Sequence, residues 1–362
     1  MNRSPALLAG VALALALALA ACTPVNERDL PADGGSEVSG WISGAGSTAQ
    51  AAAMEAWKAS FESIHPQVTV SYDPVGSSGG REQFITGAVE YAGSDAYLDD
   101  EEIVAAGERC GAGEVIQLPA NISPMAVAYN LSGIPDLRLS PDTLAQIFTQ
   151  EITRWDDPAI AADNPGVTLP DTAITPVNRA DGSGTTKNFT DYLASAAPEI
   201  WTYGAVDDWP VRGGTGGQGT SGVVAAINQT SGAIGYADES QIGELPAASV
   251  KVGEEYVGPS AEAAARILDA SPRVEGRGEF DFAIDIDRKT EASGTYPIVL
   301  ASYTMACTKY EDPDQAALVK AFLSFMVSEE GQLVAQQNAG SAPISESFRA
   351  TAMTAIDAIE TP

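Results

Sequence analysis

Gly44-Ala45-Gly46-Ser47-Thr48, Val75-Gly76-Ser77-Ser78-Gly79-Gly80 and Arg179-Ala180-Asp181-Gly182-Ser183-Gly184-Thr185-Thr186 are three short glycine- and hydroxyl-rich runs, each just ahead of a stretch with helical character. A helix start leaves backbone N–H groups without intrahelical acceptors and carries about half a positive charge. Glycines let that backbone approach a ligand, and hydroxyls add donors, so such a segment can hold an anion with little cationic side-chain charge. Any one of these runs, taken alone, is an ordinary helix cap. Three in one chain, one of them carrying Arg179, point to an oxyanion site. Arg179 offers a planar fork suited to two oxygens of a tetrahedral ion. Asp181, two residues on, is placed to pair with it and hold it still.

Asp95, in Ala92-Gly93-Ser94-Asp95, has two readings. It can cap the next turn. Alternatively, set among donors, its carboxylate can accept a proton from an ion such as HPO4²⁻ or H2PO4⁻ and repel sulfate, which has no proton to offer at neutral pH. A site built to hydrogen-bond a ligand hydroxyl rejects the analogue lacking it by orders of magnitude.

Other chemistries find little support. Ser77 and Ser183 sit in glycine-rich loops, as nucleophiles can. However, the chain has one His, His65, followed by Pro66 and read as a surface residue, so a Ser/His/Asp triad lacks a suitable base. No His-Glu-x-x-His motif or Cys/His cluster is present, and Lys187 follows Thr186 rather than the Gly of a nucleotide-binding P-loop. Neither catalysis, nor a metal, nor a cofactor is expected. With 19 Lys and Arg against 49 Asp and Glu, the net charge of −30 excludes nucleic acid and anionic lipid surfaces as partners. It does not exclude a small anion, because screening over about 8 Å at physiological salt leaves a buried site to its local donors.

The elements that must position these residues alternate. Strand-like runs fall at 68–72, 125–129, 173–177 and 297–302. Helical runs fall at 48–61, 78–86, 141–149, 185–194, 221–229 and 315–336. In the first helix Met54, Trp57, Phe61 and Ile64 recur at i, i+3, i+7 and i+10. Alternation of this kind implies an α/β fold on mostly parallel sheets. Ahead of it, Asn2 and Arg3 precede an apolar run over 7–20, roughly 14 residues where a spanning helix needs about 20, so residues 1–21 read as a signal peptide. Leu19-Ala20-Ala21-Cys22 looks like a bacterial lipobox, with Cys22 the residue to be lipid-modified; acyl chains such as palmitate would anchor it to the membrane. Residues 22–39 are polar and Pro/Gly-rich and read as a tether. The ~320 residues that follow exceed one hydrophobic core, so two lobes are expected. Cys110 and Cys307 are the only other Cys; in an oxidising compartment they form either a disulfide or two separate buried thiols.

Between about residues 40 and 347 the chain resembles the substrate-binding subunit of the high-affinity phosphate ABC transporter. The resemblance is carried by 44–48, by 76–80 with Gly93-Ser94-Asp95, by Ile147-Phe148 through Trp155-Asp156-Asp157-Pro158 to Asn164-Pro165-Gly166, by 179–185, and by Gly232-Ala233-Ile234-Gly235-Tyr236. It implies a two-lobed type II periplasmic-binding-protein fold, each lobe a mostly parallel sheet flanked by helices, with the ligand cleft between them. Lobe one would combine 40–122 with 297–362 and lobe two would span 123–296, which puts Cys110 and Cys307 in one lobe and favours their disulfide. The ligand implied is inorganic phosphate. It would be held by Thr48, the Ala49 backbone N–H, Ser77, Asp95, Arg179, Ser183, Gly184 and Thr185, with Asp181 orienting the Arg. The partners implied are ABC permease subunits, and a monomer anchored through Cys22 on the outer face of the cell membrane is expected. Where many relatives carry an aromatic residue and Pro after the first loop, this chain has Ala49-Gln50, which leaves the local packing open. Rival expectations are a binding protein for sulfate or molybdate, a phosphate sensor, and a phosphatase.

Overall fold

The computed structural model describes residues 38–360; the leader, Cys22 and most of the tether lie outside the described residues. The chain runs β1 (Gly40–Gly46), α1 (Ala51–Ile64), β2 (Val68–Asp73), α2 (Ser77–Ile85), β3 (Tyr91–Ser94), α3 (Asp100–Cys110) and then the long β4 (Val115–Tyr129). It continues through β5 (Arg138–Leu139), α4 (Pro141–Phe148), α5 (Pro158–Asp163), β6 (Thr175–Arg179), α6 (Gly184–Ala196), β7 (Thr215–Gly217), α7 (Gly219–Gln229) and β8 (Ala233–Asp238). After a 3-10 turn (Glu239–Gln241) come β9 (Ser249–Val252), β10 (Glu255–Val257) and α8 (Ala261–Ala270). The chain closes with β11 (Val299–Cys307), α9 (Pro313–Val327), α10 (Glu329–Ala339) and α11 (Glu346–Asp357).

β2 alternates buried and exposed side chains, as a strand covered on one face does. β11 is buried at every position, and β4 at all but its first, because helices cover both faces of the sheet centre. Eight strands form one sheet in the order β2-β1-β3-β11-β4-β8-β6-β7. Its two wings are parallel, β1 with β2 and β3, and β6 with β7 and β8. The centre is antiparallel: β11 pairs with β3 and β4, and β4 with β8. The halves therefore share a strand: residues 115–124 of β4 pair with β11, and residues 125–129 pair with β8.

Core membership follows the same division. Ile42, Trp57, Phe61, Tyr91, Met305 and Phe322 pack in one cluster, and Tyr129, Phe148, Trp155, Phe189 and Tyr236 in another. On β11 the change falls between Leu300 and Ala301. Phe282, within the span 123–296, packs with the first cluster, so the segment after α8 touches both halves. Cys110 ends α3 and Cys307 ends β11; they form a disulfide with Cα atoms 5.4 Å apart.

Three local expectations shift. Helix α1 begins at Ala51, leaving Thr48 and Ala49 in the loop, and Ile64 at its end is half exposed rather than on the core face. The single helix expected over 315–336 is two. Ser328 takes an extended conformation and caps α10 through Gly331 N–H, and a side chain at Gly331 would collide with the Phe325 carbonyl. The strand expected over 125–129 is the far part of β4.

Asp238, at the end of β8 beside the shared strand, is buried and accepts hydrogen bonds from the Ser123 hydroxyl and from the Ser240 hydroxyl and N–H. Burial pushes its carboxyl up to about 7 despite these donors. A raised folded-state value contributes stability that is complete below the unfolded value near 4 and lost as pH rises through 7. Between pH 5 and 8 the stability difference between wild type and Asp238→Asn should therefore move in the variant's favour by roughly 2–4 kcal/mol. Denaturant titrations showing a pH-independent difference would contradict this.

Candidate functional site

Parallel strands leave an open crevice beyond their carboxyl ends, where loops lead into helices. Here the ends of β1, β3 and β6 and the starts of α1, α2, α6 and α7 meet. Two glycines make the approach possible. Gly46, at φ +149°, lies so close to Gly93 that a Cβ would fall 1.8 Å from its carbonyl oxygen. Gly76, at φ +95°, brings the second loop against the third, where a Cβ would lie 2.8 Å from Asp181 Oδ2 and 2.9 Å from the Gly182 carbonyl. Gly76 also leaves α2 without a side-chain cap, so its first-turn N–H groups stay open to a ligand.

Asp95 is the centre of the arrangement. It is 2 % exposed. Its Oδ2 accepts from Ser47 Oγ at 2.7 Å and Thr185 Oγ1 at 2.9 Å, and its Oδ1 from Ser302 Oγ at 2.8 Å. Its N–H donates to Ser77 Oγ at 3.1 Å, and its carbonyl accepts from Asn188 Nδ2 at 2.6 Å. The side chain caps no helix; that role falls to Asp99, at the start of α3. As an acceptor for hydroxyl donors from three directions, Asp95 is suited to take one more from a protonated ligand.

Arg179, 3 % exposed, ends β6. Its Nε donates to Asp181 Oδ1 at 2.9 Å, its Nη2 donates to Asp181 Oδ2, and its Nη1 donates to Thr185 Oγ1 at 3.5 Å. Arg179 is thus linked through Thr185 to Asp95. Asp181 Oδ1 also accepts the Gly219 N–H at 2.9 Å, tying in the start of α7. Burial works to raise the Asp181 carboxyl, but the Arg179 hydrogen bond and charge, with the Gly219 N–H, outweigh it and hold it below the usual carboxylate value. A charged, oriented pair results.

The remaining sequence-predicted residues divide by what they touch. The Ser183 hydroxyl accepts the Thr186 N–H and caps α6, the plain role such a residue has. Gly184 has no room for a side chain, because a Cβ would lie 2.7 Å from Ser77 Oγ. The Ala49 N–H, expected to face a ligand, donates instead to Ser47 Oγ at 3.1 Å, because the loop turns back on itself before α1 begins. Thr48 reaches the other half: its Oγ1 lies 2.9 Å from Thr220 Oγ1 and accepts the Thr220 N–H at 3.1 Å. Gln241 Nε2 donates to the carbonyls of Thr48 and Ala49. A second bridge runs from Arg81, which binds Glu102 on its own side and Asp207 across the crevice at 3.2 Å.

Sequence reasoning missed Ser47, Ser302, Thr220, Gln241 and Arg288. Ser47 lay inside a loop already singled out, and Gly216-Gly217-Gln218-Gly219-Thr220 repeats the same pattern ahead of α7, so both could have been found. Ser302 and Arg288 carry no local signal. Arg288 is buried and binds Asn188 Oδ1, Asp191 Oδ2, and the carbonyls of Pro297 and Val299. Through Asn188, which donates to Asp95 and Gly184, it holds α6 against the returning chain. Among the described residues no group of His, Cys, Asp and Glu could hold a metal ion.

A family model for the PBP superfamily domain matches residues 31–330. Phosphate-binding protein PstS 3 of Mycobacterium tuberculosis is 37% identical over 324 residues, covering 88% of this chain and 86% of its own length. The phosphate-bound structure of a high-affinity periplasmic phosphate-binding protein, PfluDING, superposes with a TM-score of 0.71 at 21% identity, covering 86% of this chain and 93% of that one. The phosphate-binding protein from Stenotrophomonas maltophilia gives 0.68 at 20% identity, covering 87% and 93%. At that identity the two structures speak for the fold alone.

Proposed function

Because the chain belongs to the PBP superfamily, among its phosphate-binding proteins, we propose that it binds inorganic phosphate outside the cytoplasm and hands it to an ABC importer. The observation that carries this reading is the pairing of opposites in one buried site. A fixed guanidinium and an open helix start supply donors, and Asp95 supplies an acceptor. Sulfate matches the donors but not the acceptor; a protonated phosphate matches both. Arg179, Ser77, Thr185 and Asp95 are the residues assigned to contact phosphate, with Asp181 orienting Arg179 and the first-turn N–H groups of α2 and α6 completing the cage. Charge-assisted hydrogen bonds contribute roughly 1.5–3 kcal/mol each. A micromolar site needs about 8 kcal/mol, so a handful of them suffices after the cost of ordering.

The two halves would act as lobes, hinged where β4 passes Pro124 and Met125 and where β11 passes Leu300 and Ala301. Thr48–Thr220, Gln241 and Arg81–Asp207 would be the contacts that close them. Trp209 is well placed to report the motion: it is half-buried, two residues from Asp207, and packs on Phe148 and Tyr236. Saturating phosphate should shift tryptophan emission, and Trp209→Phe should remove most of the shift. Unchanged wild-type emission would contradict closure.

Lipid anchoring follows from the leader and Cys22 and is proposed on that ground; among the described residues no helix is long and apolar enough to cross a membrane. Cys22→Ser should release the protein from membranes into the medium, and continued retention on membranes would refute the anchor. The reading as a carrier rather than a phosphatase is supported by the function named for its relatives.

A further inference from the structure

Away from the crevice, a cavity of about 670 Å³ opens between the end of α8 and the start of α11. Ile122, Leu268, Phe282, Ile344 and Phe348 line it, with Arg273 at its edge. A second cavity of about 320 Å³ continues past Arg273 and Phe282 along the same side of α11. Both share Arg273, Phe282 and Thr351, so the space is elongated rather than round, with Arg273 at its waist. Volume and lining are those of a small-molecule site: mostly apolar walls with few polar groups.

Arg273 is the informative residue. Its guanidinium lies 4.2 Å from the centre of the Phe282 ring, and its Nη2 donates to the Asp281 carbonyl. Among the described residues its Nε and Nη1 have no acceptor and no carboxylate lies within 4 Å of it. Buried arginines such as Arg81, Arg179, Arg277 and Arg288 are paired with carboxylates, whereas Arg273 is exposed and, like Arg109 and Arg138, has no ion pair among the described residues. The start of α11, capped by Ser345, opens on the same cavity and adds its positive end. The larger cavity, largely apolar and with Arg273 at its edge, complements an ion with a tail; Glu279 lines only the smaller cavity beyond Arg273.

We propose that this trough is a second ligand site, taking a single-chain anionic amphiphile such as a medium-chain carboxylate. The tail lies along α11 against Phe282 and Phe348, and the head pairs with Arg273. The site is separate from the Asp95 crevice, and the inference does not rest on the phosphate reading.

The test uses the full chain carrying Cys22→Ser, so that no acyl chain of its own competes, and decanoate held below its micelle concentration. Calorimetry should show one decanoate per chain, bound at least tenfold more tightly than decanol, with acetate not binding. Arg273→Gln should lower decanoate affinity to that of decanol while leaving decanol and phosphate binding unchanged. Ala265→Phe, which fills the trough from α8, should weaken decanoate and decanol alike by tenfold or more. No decanoate binding, equal binding of decanoate and decanol, or decanoate binding indifferent to both substitutions would overturn the proposal.

Discussion

Arg179→Met should weaken phosphate binding by about 100- to 1000-fold, the largest single-residue effect expected in this protein. Two losses add together. The ligand loses a charge-assisted, forked donor. Asp181 loses the partner that keeps it charged, retaining the Gly219 N–H in a partly buried setting. Truncating one partner of a buried, hydrogen-bonded charge pair costs about 2–5 kcal/mol of binding, and every ~1.4 kcal/mol lost in binding is a factor of ten. Arg179→Lys should recover part of the affinity, since it keeps the charge but not the planar fork. Titration calorimetry on variants shown to be folded measures both. An Arg179→Met affinity within threefold of wild type would mean that helix starts and hydroxyls hold the ion without the guanidinium.

Asp95→Asn should change what is bound more than how tightly anything is bound. The carboxylate takes three hydroxyl donors on two oxygens. An amide keeps one oxygen and turns two N–H donors toward the others, so at least one of Ser47, Thr185 and Ser302 loses its acceptor. Toward the ligand the reversal is sharper. Phosphate loses the acceptor for its proton, whereas sulfate gains a donor in place of a repelling charge. The ratio of phosphate to sulfate affinity should fall by about 100-fold or more. An unchanged ratio would reduce Asp95 to an organiser of hydroxyls.

What the sequence made legible was whatever chemistry is local. The loops at 44–48, 75–80 and 179–186 were recognisable because glycine, hydroxyl and helix start lie within a few residues of one another, and Arg179 and Asp181 because they are two apart. Asp95 was legible as an acceptor, but its partner Ser302 stands 207 residues away and only the antiparallel pairing of β11 brings it in. The shared strand was illegible for the same reason. Nothing in residues 115–129 says that one end will pair with β11 and the other with β8, since both partners lie more than 100 residues further on. Periodicity located α1 but not the fate of Ile64, because the position is decided by where α1 ends against the core. Likewise the break at Ser328 depends on how closely Gly331 crosses Phe325.

Selection of a protonated tetrahedral ion, in the proposed function, rests on donors and one acceptor in a buried site. Its most direct test is a pair of calorimetric titrations of the purified wild-type protein at pH 7, one with phosphate and one with sulfate. Binding of one phosphate per chain at micromolar affinity or tighter, with sulfate weaker by at least 100-fold, is the expected result. No heat with phosphate, or sulfate binding as tightly, would contradict it.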